Sequence, residues 1–200
     1  MARYQVMRPP LVAYTLPSCY HGTREASKGV AHTTEGLGTV ETYGEFFKRT
    51  PDKLASTFLV ERTGRAGIYV AQLNIKTYHV ANHNSECYGI EQVGFASTSR
   101  KDWLTKYKRQ IYMTAWIFAW ANQGFKDPIA MHSTGSDRTG RHFIFVEGLT
   151  QHKWVPDNDH DDCGPGYPWD VVTELADKWA KRGAPTPGTR LLIRTGHRPT

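Results

Sequence analysis

The longest helical pattern in the chain lies near its middle, with strand-type segments on both sides. Between residues 102 and 123, Leu104, Tyr107, Ile111, Ala115 and Phe118 recur at spacings of three and four, which puts them on one face of a helix. Gly124 ends the pattern. Before it, residues 29–32 read as a short strand that stops at Thr33-Thr34-Glu35-Gly36. Residues 56–61 and 67–73 read as two strands joined by a hairpin-like turn, Arg62-Thr63-Gly64-Arg65, and residues 88–94 as another strand. A helix is expected over 41–49, stopped by Pro51. After the long helix, residues 142–147 read as a strand. Pro168-Trp169-Asp170 opens a last helix to about residue 182, with Val171, Val172, Leu175 and Trp179 on one face. Strands interspersed with helices restrict the chain to an α/β fold, a central mixed sheet flanked by helices.

Two hundred residues fit one domain, or one domain and a short tail. Residues 1–28, rich in Pro, Gly and Ser, read as an irregular N-terminal segment. Residues 29–183 carry the domain. Residues 184–200 form a linker-like tail in which Leu191-Leu192-Ile193 is either a small extra strand or the start of a further unit. A chain that is 39% hydrophobic and 22% charged is an ordinary globular composition, which argues against disorder. The net charge of +6 favours anionic partners, whether nucleic acid, membrane surface or bacterial wall polymer. The densest basic stretch, residues 101–109, interleaves with Trp103, Leu104 and Tyr107 and reads as the solvated side of an amphipathic helix. Cys19, Cys87 and Cys163 are too few, and odd in number, for a disulfide framework, so a reducing compartment is expected. The N-terminus lacks the apolar stretch of a signal peptide, and no apolar run is long enough to span a bilayer. Synthesis in a cytoplasm, a monomeric state and no membrane insertion are the expectations; action on a wall would require release by something else.

Nine histidines are many for this length. His21, His83, His132, His142 and His197 show no partner pattern and read as surface or structural residues. His32 ends an apolar strand, His152 follows Gly148-Leu149-Thr150-Gln151, and the stretch Asn158-Asp159-His160-Asp161-Asp162-Cys163 is dense in possible ligands. A catalytic zinc takes three protein ligands of these types and keeps a fourth position for water. Ligands at the ends of neighbouring strands can converge at the rim of a sheet, although separated histidines and an acidic loop also arise by chance.

Four segments, taken together and in order, add to this: Val30-Ala31-His32-Thr33-Thr34-Glu35-Gly36, Tyr88-Gly89-Ile90-Glu91, Gln151-His152-Lys153-Trp154-Val155-Pro156, and Asp159-His160-Asp161-Asp162-Cys163-Gly164-Pro165-Gly166-Tyr167-Pro168-Trp169-Asp170. From about residue 29 to 182 the chain resembles the type 2 N-acetylmuramoyl-L-alanine amidases, a family that includes phage endolysins and is related to the peptidoglycan recognition proteins. The resemblance implies one zinc at the sheet edge, held by His32, His152 and Asp162. It implies Glu91 as the catalytic proton carrier and His160 as the residue that steadies the oxyanion. In the family, Asp or Cys at the third ligand position is followed directly by Pro. Here Asp162 is followed by Cys163, so a slip of one residue would make Cys163 the ligand. Tyr78-His79-Val80-Ala81 stands where the family has Trp-His-Ala-Gly, and His79 is either a support for the ligands or a groove residue. The implied activity is zinc-dependent hydrolysis of the bond between N-acetylmuramic acid and L-alanine in peptidoglycan, in the manner of a phage endolysin. Two alternatives stand beside it. One is a non-catalytic peptidoglycan-binding module of the same fold. The other, a basic nucleic-acid-binding protein or zinc nuclease, lacks any recognition-helix or zinc-finger spacing, so no nucleic-acid partner is expected.

Overall fold

The computed structural model describes residues 3–7, 11–13, 16–50, 56–70, 72–123, 147–183 and 191–195. Along the chain these form β1 (Arg3–Met7), β2 (Leu11–Ala13), β3 (Lys28–Thr33), α1 (Val40–Arg49), β4 (Phe58–Val60), β5 (Ala66–Ile68), β6 (Cys87–Gln92), α2 (Arg100–Thr105), α3 (Lys108–Asn122), β7 (Gly148–Gln151), α4 (Trp169–Lys181) and β8 (Leu191–Thr195). A six-stranded sheet runs in the order β2-β5-β4-β6-β3-β7. Its β4–β5 pair is antiparallel and its other pairs are parallel, so the sheet is mixed and the fold is α/β, as the sequence pattern requires.

Every residue of β3, β6 and β7 is buried, the condition of parallel strands covered on both faces. On one face Phe58, Val60, Tyr88, Ile90, Ala31 and Leu149 pack with α3 and α4 through Ile117, Phe118, Trp169 and Val172. On the other face Leu59 and Val93 meet Val40 and Phe47 of α1. Each fully buried side chain of this size contributes roughly 1.5–3 kcal/mol. Helix α1 starts at Thr39, whose side chain accepts a hydrogen bond from the Thr42 N–H at 3.2 Å, the usual N-cap device.

Three of the sequence expectations differ from the structure, and the open reading of Leu191-Leu192-Ile193 resolves as a strand. The long helix is two, α2 and α3, broken at Lys106-Tyr107. The spacing of apolar residues continues through the break, so periodicity alone does not register it. Ser99 caps α2, and α3 is buried on almost all sides. Within residues 1–28, short apolar stretches form β1 and β2 although Pro, Gly and Ser dominate the segment. Residues 191–195 form β8, which pairs antiparallel with β1 in a separate two-stranded sheet. The strands expected over 56–61 and 67–73 are shorter, β4 and β5, joined by the expected turn with Gly64 at φ +84°. The strand expected over 142–147 falls almost wholly outside the described residues, as do Gly124, Pro51, the 184–190 linker, His132, His142 and His197; the described strand before His152 is β7.

The segment between β7 and α4 is pinned by its glycines. A Cβ on Gly164 would lie 1.9 Å from the Ala96 carbonyl oxygen, and one on Gly166 would lie 2.3 Å from that of Thr98. Gly164 also has φ +84°. Gly22, at φ +94°, has open space around it. Gly22→Ala is therefore expected to cost about 1–2 kcal/mol for the left-handed backbone alone. Gly164→Ala adds roughly 1–3 kcal/mol of overpacking against backbone that has little freedom to yield. Urea denaturation of the two variants measures the difference; equal midpoints would contradict the close packing of this loop.

Candidate metal centre

Three parallel strands end side by side. The Cα of His32 on β3 pairs with that of Glu91 on β6. Ala31 pairs with Gln151 at the end of β7, so the next residue, His152, continues the same row. In-register neighbours on parallel strands direct their side chains to one face. Here it is the face opposite α3 and α4. His152 opens a 3-10 turn, His152–Trp154, and the Lys153 N–H donates to the Asp162 carbonyl at 2.8 Å. That bond ties the acidic loop to the strand end and brings Asp162 to the row.

His32 Nδ1 lies 3.1 Å from His152 Nδ1 and 3.4 Å from Asp162 Oδ2. His152 Nδ1 lies 3.2 Å from Asp162 Oδ1. The three residues are buried, and together they form a group able to hold a metal ion. Asp162 Oδ2 also accepts the Thr33 N–H at 3.2 Å. The His32 backbone is held in turn: its carbonyl accepts from Gln92 Nε2 at 3.3 Å, and Gln92 Oε1 accepts from Thr114 Oγ1 and the Tyr167 hydroxyl at 3.1 and 2.9 Å. Cys163, the alternative third ligand, points the other way. Its thiol is fully buried in the α3–α4 core beside Gln92 Nε2, and burial, with the nearby Asp162 and Glu91 charges, pushes its pKa well up. Among the described residues the group that could hold a metal is His32, His152 and Asp162, without Cys163.

Electrostatics prepare the donors. Burial lowers the pKa of His32 to about 4, with the charge of His152 adding to the effect and Asp162 opposing it. His32 is thus neutral at pH 7 and carries a free lone pair. Burial pushes the Asp162 carboxyl upward, but hydrogen bonds and charge from His152 and His32 outweigh it and hold Asp162 well below the ordinary carboxylate range. Glu91 is also buried, and burial, then the Asp162 and Glu35 charges, push it well above that range. Among the described residues, Glu91 Oε2 has no hydrogen-bond partner. His160 stands half exposed, its ring stacked on His152 at 4.0 Å and its Nδ1 3.6 Å from Asp162 Oδ1.

His32, Glu91, His152, His160 and Asp162 thus meet in one cleft of about 400 Å³, which His79 also lines. The cleft is also lined by Thr34 and Glu35, which follow His32 in the first of the four segments, and by Tyr43, Phe46 and Phe47 of α1, which were not singled out from the sequence. The sequence signal of those three is their three- and four-residue spacing along α1. Glu35 is fixed at φ +47°, its carboxylate accepting from Thr33 Oγ1 at 2.7 Å and the Ala96 N–H at 2.8 Å.

No family model matches the sequence, and no curated protein matches it. Solved structures do. Staphylococcus aureus hydrolase AmiA is similar over 90% of this chain and 89% of its own, with a TM-score of 0.64 at 16% identity. The endolysin N-acetylmuramoyl-L-alanine amidase LysCS from Clostridium intestinale URNW is similar over 86% and 97%, with a TM-score of 0.59 at 14% identity. Drosophila PGRP-LB is similar over 90% and 97%, with a TM-score of 0.53 at 13% identity. The chain has the fold of hydrolase AmiA, the N-acetylmuramoyl-L-alanine amidase LysCS and PGRP-LB.

Proposed function

We propose that the chain is a zinc-dependent N-acetylmuramoyl-L-alanine amidase acting on bacterial peptidoglycan as a phage endolysin does. One observation carries the reading: three buried metal donors and a buried carboxylate with a free oxygen share a single cleft on this fold. The donor separations of 3.1, 3.4 and 3.2 Å suit zinc, because tetrahedral bonds of about 2.0–2.1 Å set neighbouring ligand atoms roughly 3.3 Å apart. Two imidazoles and one carboxylate leave a fourth position, the pattern of a catalytic rather than a structural site.

When bound, zinc supplies a Lewis acid for the scissile carbonyl and acidifies water to near neutral pH. The chain's own residues do the rest. Glu91, as the carboxylate, takes the proton of the water that attacks the lactyl carbonyl carbon. As the carbon–nitrogen bond breaks, Glu91 returns that proton to the departing alanine nitrogen. The products are the muramyl carboxylic acid and a free alanine amine. His160, at the cleft mouth, donates a ring N–H toward the developing oxyanion. Asp162, His152 and His32 hold the centre. Mass spectrometry of purified peptidoglycan digested by the protein tests the reading: new muramyl carboxylates and alanine amino ends support it, and intact walls or a different cut bond overturn it.

Two variant sets separate the roles. Asp162→Ala is expected to lose zinc and activity together, whereas Cys163→Ser keeps zinc and most activity; the reverse pattern would move the third ligand to Cys163. Glu91→Gln keeps shape and removes the base. It is expected to fold, hold zinc and sediment with walls, yet to release alanine ends on the order of 10²–10⁴-fold more slowly. Release at the wild-type rate would remove Glu91 from the mechanism. If the wild type held zinc and bound walls but released nothing, the binding-module alternative would replace the amidase.

A further inference from the structure

The far side of His32 is as closely arranged as the side facing Asp162. His32 Nε2 lies 3.0 Å from His79 Nδ1, and His79 Nε2 lies 3.3 Å from the Cys87 carbonyl oxygen. The same carbonyl accepts from Arg24 Nη1 at 3.0 Å. A carbonyl only accepts, so the proton on the second bond belongs to His79 Nε2. The Arg24 guanidinium is buried, bonded also to the Leu73 carbonyl and Thr57 Oγ1, and among the described residues no carboxylate pairs with it. A second cation on His79, at the same oxygen, would be equally uncompensated. With its Nε2–H spent on that carbonyl, His79 turns its Nδ1 to His32 Nε2, and with His32 Nδ1 facing His152 and Asp162 the proton between the two rings is placed on His32 Nε2.

His79 is itself built into place. Asn84 Oδ1 accepts the N–H groups of His79 and Val80, both at 2.8 Å. A Cβ on residue 89 would lie 2.7 Å from His79 Nδ1, so Gly89 is what gives the ring its space on the sheet.

We infer that His79 is a positioning residue for the metal centre: the chain Arg24, Cys87 carbonyl, His79 fixes His32 as the Nε2–H tautomer and aims its Nδ1 lone pair at the space between His152 and Asp162. This rests on the metal-binding reading above, and it assigns His79 no contact with substrate. Outer partners of metal-bound histidines commonly contribute 10–100-fold in metal affinity.

Two measurements test it, neither depending on turnover. Long-range nitrogen–proton NMR of the wild-type protein with zinc is expected to show His32 protonated at Nε2 and metal-bound at Nδ1. Zinc competition with a chromophoric chelator is expected to show His79→Leu, which removes the acceptor at nearly constant volume, weakened on the order of 10–100-fold. His79→Asn, whose Oδ1 stands where Nδ1 stood, is expected to recover most of that loss. Zinc on His32 Nε2, an unweakened His79→Leu, or equal weakening in both variants overturns the inference and leaves the metal centre standing. If His79→Leu does not fold, the wild-type NMR result decides. A wild-type protein that binds no zinc at His152 and Asp162 overturns the metal centre and this inference with it.

Discussion

Parallel pairing of β3 with β6 and β7 places Glu91, His32 and His152 in one row across the end of the sheet. The rest of the site depends on that register. A shift of one residue would turn all three side chains toward the α3–α4 core, where Ala31, Ile90 and Leu149 now pack. Burial on both faces makes such a slip expensive, so the hydrophobic packing that stabilises the sheet also fixes the positions of the polar groups. Asp162 joins the row through a backbone bond to Lys153 and through glycines that let its loop press against residues 96–99.

The row gathers groups that ordinarily resist burial. Their surroundings shift the proton affinity of each. Burial lowers the pKa of His32 and His79, contact with two imidazoles outweighs burial and lowers that of Asp162, and burial raises that of Glu91. A metal cation among His32, His152 and Asp162 would meet one carboxylate and two imidazoles already gathered around one point. Burying an uncompensated charge or polar group costs several kcal/mol, which makes a purely structural role for so many convergent donors a poor use of the core.

The five residues that resemblance to the amidases picked out, His32, Glu91, His152, His160 and Asp162, lie in one cleft. They were legible because they sit in four segments that carry the resemblance together and in order, not through any one motif. Between Asp162 and Cys163 the resemblance favoured Asp162 and left Cys163 open, because adjacent residues differ by direction and not by motif; Cys163 packs into the core and Asp162 lines the cleft. Arg24 was invisible in a segment read as irregular, since its partners are main-chain oxygens and a threonine hydroxyl distant in sequence. The break between α2 and α3 was hidden for a related reason: apolar periodicity reports a buried face and not a break within it.

The central claim, that strand register assembles a centre of two imidazoles and one carboxylate, is tested most directly by zinc K-edge X-ray absorption on the metal-loaded protein. The account predicts nitrogen and oxygen scatterers at about 2.0–2.1 Å, with the multiple scattering of two imidazoles and no sulfur shell. A sulfur scatterer near 2.3 Å would place Cys163 in the centre and contradict it.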